Sequence, residues 1–169
     1  MQPDGNILKE CIKEGLNVIN ISNISQFLPY DRNIRKYSLP DEKTKEDIIT
    51  VLTKEINTLK EFNAVDIAYV YCFDEQHDIS QYPLMAEVLN FVKTNFPDVK
   101  ISTTTTYPPL KELIGKVDTW IPLLGSASKE IEERQKAGDE VFFYIYAHPF
   151  HPFPNASLID YPAIDGRIS

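Results

Sequence analysis

The chain predicts an α/β fold in which about five parallel strands alternate with helices. Three observations carry that expectation. Runs of β-branched and aromatic residues recur along the chain, "DIAYVYCF" (66–73) and "EVFFYIYAH" (140–148) among them. Segments with helical apolar spacing separate these runs. Several runs are near-continuously apolar, the mark of strands covered by helices on both faces.

The elements follow in order. "ILKECIKEGL" (7–16) reads as a short amphipathic helix and "NVINIS" (17–22) as the first strand, followed by a polar loop holding Pro29 and Pro40. In "TKEDIITVLTKEINTLKEF" (44–62), apolar residues at 48, 49, 52, 56, 59 and 62 share one helical face, and Asp41 or Thr44 is the candidate cap. A strand over 65–73 leads to a helix over 82–96 with Pro83 in its first turn. "VKISTTTT" (99–106) is a strand, "PPLKELIG" (108–115) a short helix ended by Gly115, and "VDTWIPLLG" (117–125) a strand. A helix over 128–138 ends at Gly138, and the last strand covers 140–147. The tail from Pro149 is Pro-rich and irregular.

The length, 169 residues, suits a single domain over 1–169 with a real core. A net charge of −8 argues against binding nucleic acid through its phosphates. No apolar run approaches the roughly 20 residues that span a bilayer, and "MQPDGNILKE" lacks the pattern of a signal peptide, so no membrane partner is expected. The compartment stays open, a secreted or periplasmic parent being one reading; the N-x-S/T patterns at Asn20, Asn23 and Asn155 bear on it only for a eukaryotic secreted protein. Cys11 and Cys72 are too few for a disulfide scaffold, and Cys72, inside an apolar strand, reads as a small buried hydrophobe.

Two architectures fit this alternation: an open doubly wound sheet, or part of a (βα)8 TIM barrel, whose full form takes roughly 250 residues. The Gly-rich turn typical of nucleotide-binding sheets is absent from "NISNISQF". In either architecture ligands sit at the carboxyl ends of the strands. Asp74 and Glu75, then Gln76 and His77, stand at one such end; Thr103 to Thr106 and Tyr107 stand at the next. Trp120 follows, then Tyr144, Tyr146 and His148, with His151 and Asn155 beyond. Carboxylates, amides, hydroxyls and aromatics on one rim suit a sugar. Asp74 and Glu75 are the candidate catalytic residues, and Tyr71, Tyr107, Trp120, Tyr146, His148 and Asn155 the candidate substrate contacts. The plainer readings stand beside these: solvated acids at a helix start, a threonine run that is only a strand, and Trp120 as core. The spacing of His77, His148 and His151 is not that of a zinc motif, so neither a metal nor a cofactor is expected.

The order "YVYCFDEQ", "KISTTTT", "VDTWIPLL" and "EVFFYIYAHPFHPFPNASLIDYPAIDGRI" resembles the catalytic barrel of glycoside hydrolase family 123 and its uncharacterised relatives, from about residue 44 to the C-terminus. The resemblance implies a partial (βα)8 barrel of about five parallel strands, apparently the third to the seventh, and hence an excised piece or a shortened protein of weak or no activity by itself. It implies retaining, substrate-assisted hydrolysis of terminal β-N-acetylhexosamine, galactosamine preferred, in the full-length parent. Glu75 would then be the general acid and base, and Asp74 would orient the substrate's 2-acetamido group. The carbohydrate partner follows from the same resemblance, as does a homo-oligomer covering the open barrel edges. The alternative is a non-catalytic carbohydrate-binding or assembly module derived from such a barrel.

Overall fold

A helix, α1 (Gly5–Lys13), precedes the first strand, β1 (Ile19–Asn23), in the computed structural model, which describes residues 5–105, 111–123 and 129–144. The remaining elements are β2 (Tyr30–Asp31), β3 (Lys36–Tyr37), α2 (Glu42–Glu61), β4 (Ala68–Tyr71), α3 (Tyr82–Asn95), β5 (Lys100–Thr105), β6 (Thr119–Pro122), α4 (Lys129–Lys136) and β7 (Glu140–Val141). Five strands form one sheet in the order β1-β4-β5-β6-β7, every pair parallel. With the helices beside it, this is an α/β arrangement that fits part of a barrel.

The helices form for local reasons. Asp41 caps α2, its carboxylate accepting the Thr44 N–H at 2.8 Å, and these hydrogen bonds hold its carboxyl below the ordinary range. The same helix ends in a Schellman turn: Asn63 adopts a left-handed φ of 52°, the Ala64 N–H reaches Leu59 O at 3.0 Å, and the Asn63 N–H reaches Lys60 O at 3.2 Å. Gly138 ends α4 in the same way, at φ 101°. Pro83 sits in the first turn of α3, where its missing N–H costs nothing.

Alternation along the strands divides the sheet into two faces. On one, Val70, Cys72, Ile101 and Trp120 pack with Ile48, Leu52 and Ile56 of α2, Met85, Val88, Leu89 and Val92 of α3, and Ile131 of α4. Leu52 is wholly buried there, so truncation to alanine would cost about 2–5 kcal/mol. Register puts Tyr69 and Tyr71 on the other face, beside Lys100, Ser102, Thr104, Thr119 and Ile121. A smaller cluster of Leu8, Leu59, Ala64 and Ala68 joins α1 to the end of α2.

Two expectations change. The stretch 29–40 is not merely a polar loop: β2 and β3 form an antiparallel hairpin, with Tyr30 opposite Tyr37 and an Asx turn in which Asp31 accepts the Asn33 N–H at 2.8 Å. The expected helix over 108–115 gives way to turns across residues 111–116, where the Lys116 N–H bonds back only three residues, to Leu113 O at 3.0 Å; residues 108–110 lie outside the described residues.

Candidate functional site

The acid pair begins where the sheet's ladder ends. The Cys72 N–H still donates to Ser102 O and its carbonyl accepts the Ser25 N–H, both at 3.0 Å. One residue later a side chain takes over: Thr103 Oγ1 donates to Phe73 O at 2.9 Å. Asp74 and Glu75 follow at the carboxyl end of β4, and Glu75 takes a left-handed φ of 42°. For a residue with a Cβ that conformation costs roughly 1–2 kcal/mol. It also breaks the strict alternation that would send neighbouring side chains to opposite faces.

The hydrogen bonds record where the two carboxylates go. Asp74 Oδ1 accepts from the Tyr71 hydroxyl at 2.7 Å and from Thr104 Oγ1 at 3.0 Å. Those two hydroxyls lie 2.8 Å apart, and Thr104 Oγ1 also accepts the Glu75 N–H at 2.8 Å. Glu75 Oε1 accepts instead from the Tyr144 hydroxyl. Tyr144 continues the path of β7, its N–H donating to Pro122 O at 3.2 Å and its backbone bridging Leu123. Tyr71 and Thr104 share the sheet face away from the helices, so both carboxylates lean over that face with separate partners. Burial is the main cause that raises the Tyr71 phenol above its ordinary 10.0, with the Asp74 hydrogen bond and the Asp74 and Glu75 charges adding to it. Tyr71 is therefore a fixed hydrogen donor at physiological pH.

The hairpin β2–β3 stands at the same end of the sheet. Tyr37 packs edge-on against Phe73, ring centroids 5.7 Å apart, and tilted against Tyr30 at 4.8 Å. Lys36 Nζ reaches Asp78 Oδ2 and Ser80 Oγ at 3.0 Å each, and Gln81 Oε1 accepts the Tyr37 N–H at 2.7 Å. The Ser80 and Lys36 hydrogen bonds hold the Asp78 carboxyl down at about 2.

Of the residues named at the strand ends in the sequence, Asp74, Glu75, Thr104 and Tyr144 come together here, with Tyr71. Trp120 does not join them. Its register partner is Thr103, on the helix-covered face, where the indole is fully buried and donates Nε1–H to Asp139 Oδ2 at 2.9 Å. The sugar-platform reading of Trp120 is thereby corrected to core: β6 turns Thr119 and Ile121, not Trp120, toward the open face. Tyr107, Tyr146, His148, His151 and Asn155 lie outside the described residues. In the sequence Thr104 stands at a strand end only as one of four consecutive threonines that read as plain strand, not as a site residue. The available signal was parity: in "KISTTT" the residues 100, 102 and 104 share a face, as Tyr69 and Tyr71 do.

Cys72 is fully buried, and burial pushes its thiol well above 9.0, which leaves it inert as a nucleophile. Among the described residues no cluster of His, Cys, Asp and Glu could hold a metal ion, and no helix is long and apolar enough to cross a membrane.

No protein-family model matches the chain, and no curated protein matches it. Among solved structures it is similar to a family 123 glycoside hydrolase from Clostridium perfringens, a structure concerned with glycolipid glycan hydrolysis, with a TM-score of 0.51 and 14 % sequence identity. The likeness covers 75 % of this chain but 24 % of that one, so the chain spans about a quarter of that enzyme's length. At this identity the likeness is one of architecture: the chain has a glycosidase-like fold.

Proposed function

We propose that the chain carries the acid pair of a glycoside hydrolase acting on terminal β-N-acetylhexosamine, galactosamine preferred, by retaining, substrate-assisted hydrolysis. The observation that carries this reading is the left-handed turn at Glu75, which brings two adjacent carboxylates over one sheet face with different hydrogen-bond partners. Solvated acids at a helix start have no need of such a turn. The glycosidase-like fold supports the same reading.

Glu75 donates a proton to the glycosidic oxygen as the bond from that oxygen to the anomeric carbon breaks. The carbonyl oxygen of the substrate's own 2-acetamido group attacks that carbon, giving an oxazolinium-like intermediate. Asp74, held by Tyr71 and Thr104, accepts the acetamido N–H and balances the charge that develops on it. Water then attacks the anomeric carbon while Glu75 takes its proton, so two displacements retain the configuration.

The test is turnover of a chromogenic β-N-acetylgalactosaminide by the protein that carries these residues in a complete barrel, with the β-N-acetylglucosaminide as comparison and Asp74→Asn as control. Turnover of the galactosaminide that Asp74→Asn slows is the expected result. Saturable binding of amino-sugar glycans without turnover would replace the proposal with a non-catalytic carbohydrate-binding module.

A further inference from the structure

We propose that Thr104 is the positioning residue of the acid pair: its single hydroxyl holds the Glu75 backbone in its left-handed turn and steers the Asp74 carboxylate. The inference rests on the reading of Asp74 and Glu75 as the reacting acids.

Beyond Cys72 the strand ladder is replaced by hydroxyls of two consecutive threonines. Thr103, almost fully buried, donates to the Phe73 carbonyl at 2.9 Å from the helix-covered face. Thr104, on the open face, receives the Glu75 N–H at 2.8 Å. The three-residue segment Phe73–Asp74–Glu75 is thus clamped at both ends from β5, once through a carbonyl and once through an amide. A left-handed residue with a Cβ persists only where its surroundings hold it, and Thr104 Oγ1 is the acceptor of the amide at that residue.

Proton accounting fixes the second role. Asp74 Oδ1, Tyr71 Oη and Thr104 Oγ1 form a triangle with edges of 2.7, 2.8 and 3.0 Å. Two hydroxyl hydrogens serve it. With Asp74 ionised, both point at Oδ1, and Thr104 keeps its lone pairs for the Glu75 amide. One oxygen therefore sets the backbone of Glu75 and the side chain of Asp74. Valine keeps the branched shape and strand preference of threonine but can neither accept nor donate. Serine can do both.

The experiment compares wild type, Thr104→Val, Thr104→Ser and Tyr71→Phe by amide hydrogen exchange at Glu75, and by binding of a thiazoline derived from N-acetylgalactosamine. The expected result is a loss of Glu75 protection in Thr104→Val of roughly tenfold, with protection kept in Thr104→Ser and in Tyr71→Phe, which retain the Oγ acceptor. Thiazoline affinity falls by a similar factor in Thr104→Val and is rescued in Thr104→Ser. Unchanged Glu75 exchange in Thr104→Val overturns the proposal, as does lost protection with undiminished thiazoline binding, or a serine variant that fails as the valine does. Should valine prevent folding, Tyr71→Phe and Thr104→Ser still decide it: loss of Glu75 protection in either contradicts the assigned acceptor. A wild type that ignores the thiazoline counts against the functional reading, while the exchange data still decide what holds Glu75.

Discussion

The Tyr144 hydroxyl donates to Glu75 Oε1, joining the path of the last strand to the residue that follows β4. Three strand spacings separate those paths in the order β4-β5-β6-β7, about 14 Å in a flat sheet. Two side chains meet across that span only if the sheet curls toward the face they share. Lys100 of β5 and Glu140 of β7 also pair past β6, at 2.5 Å on the same face. The curl that a barrel needs is thus written into side-chain contacts on the open face.

Trp120→Phe should destabilise the fold by about 1–3 kcal/mol, because the Asp139 carboxylate then loses a buried donor. Arg134, 4.0 Å from that carboxylate, supplies only part of the compensation. Chemical denaturation measures the loss, and sugar affinity should not move. A fall in sugar affinity at unchanged stability would return Trp120 to the site.

Glu55 gives a pH dependence with a definite sign. Burial raises its carboxyl above the ordinary 4.5, partly offset by a hydrogen bond with Ser22, and among the described residues its Oε2 is buried without a hydrogen-bond partner. The unfolded chain gives up this proton first, so the folded state holds more protons just above pH 4.5 and stability falls as pH rises through that range. Glu55→Gln should remove that fall and raise the melting temperature at pH 7 relative to wild type. Parallel melting curves of the two proteins from pH 4 to 8 would contradict this.

The cysteines should separate cleanly under native alkylation. Cys11 is exposed and Cys72 is fully buried with its thiol held protonated. Mass spectrometry should find native modification at Cys11 alone, with Cys72 reacting only after denaturant is added. Native labelling of Cys72 would mean that the sheet opens beneath the acid pair.

Much of the fold is legible in the sequence because its signals are local. The apolar stripe of α2, Asp41 as its cap, Pro83 in α3 and Gly138 after α4 each depend on a few adjacent residues. Asp74 and Glu75 can likewise be located from the end of an apolar run. The rest depends on register. Alternation states that Thr119 and Trp120 face opposite ways, but pairing with β5 decides which of them meets the helices. A second turn after the Schellman motif, closed by the Ala68 N–H on Val65 O at 3.1 Å, delays the start of β4 to Ala68. Parity puts Thr104 on one face of its strand, but the partner that gives Thr104 and Tyr144 their meaning lies 29 and 69 residues away in the chain. The hairpin carrying Tyr30 and Tyr37 has two-residue strands, too short for a periodic signal, and is held by the remote Phe73 and Gln81.

The division of labour between the two acids is tested most directly, in the enzyme with the complete barrel, by Glu75→Gln on paired substrates: an aryl β-N-acetylgalactosaminide with an activated leaving group and an alkyl one with a poor leaving group. General acid assistance is worth about 10²–10⁴-fold, so the variant should lose that much kcat/KM on the alkyl glycoside and little on the activated one, while Asp74→Asn slows both. Equal, modest losses on both substrates for Glu75→Gln would contradict the assignment and remove Glu75 from the leaving group.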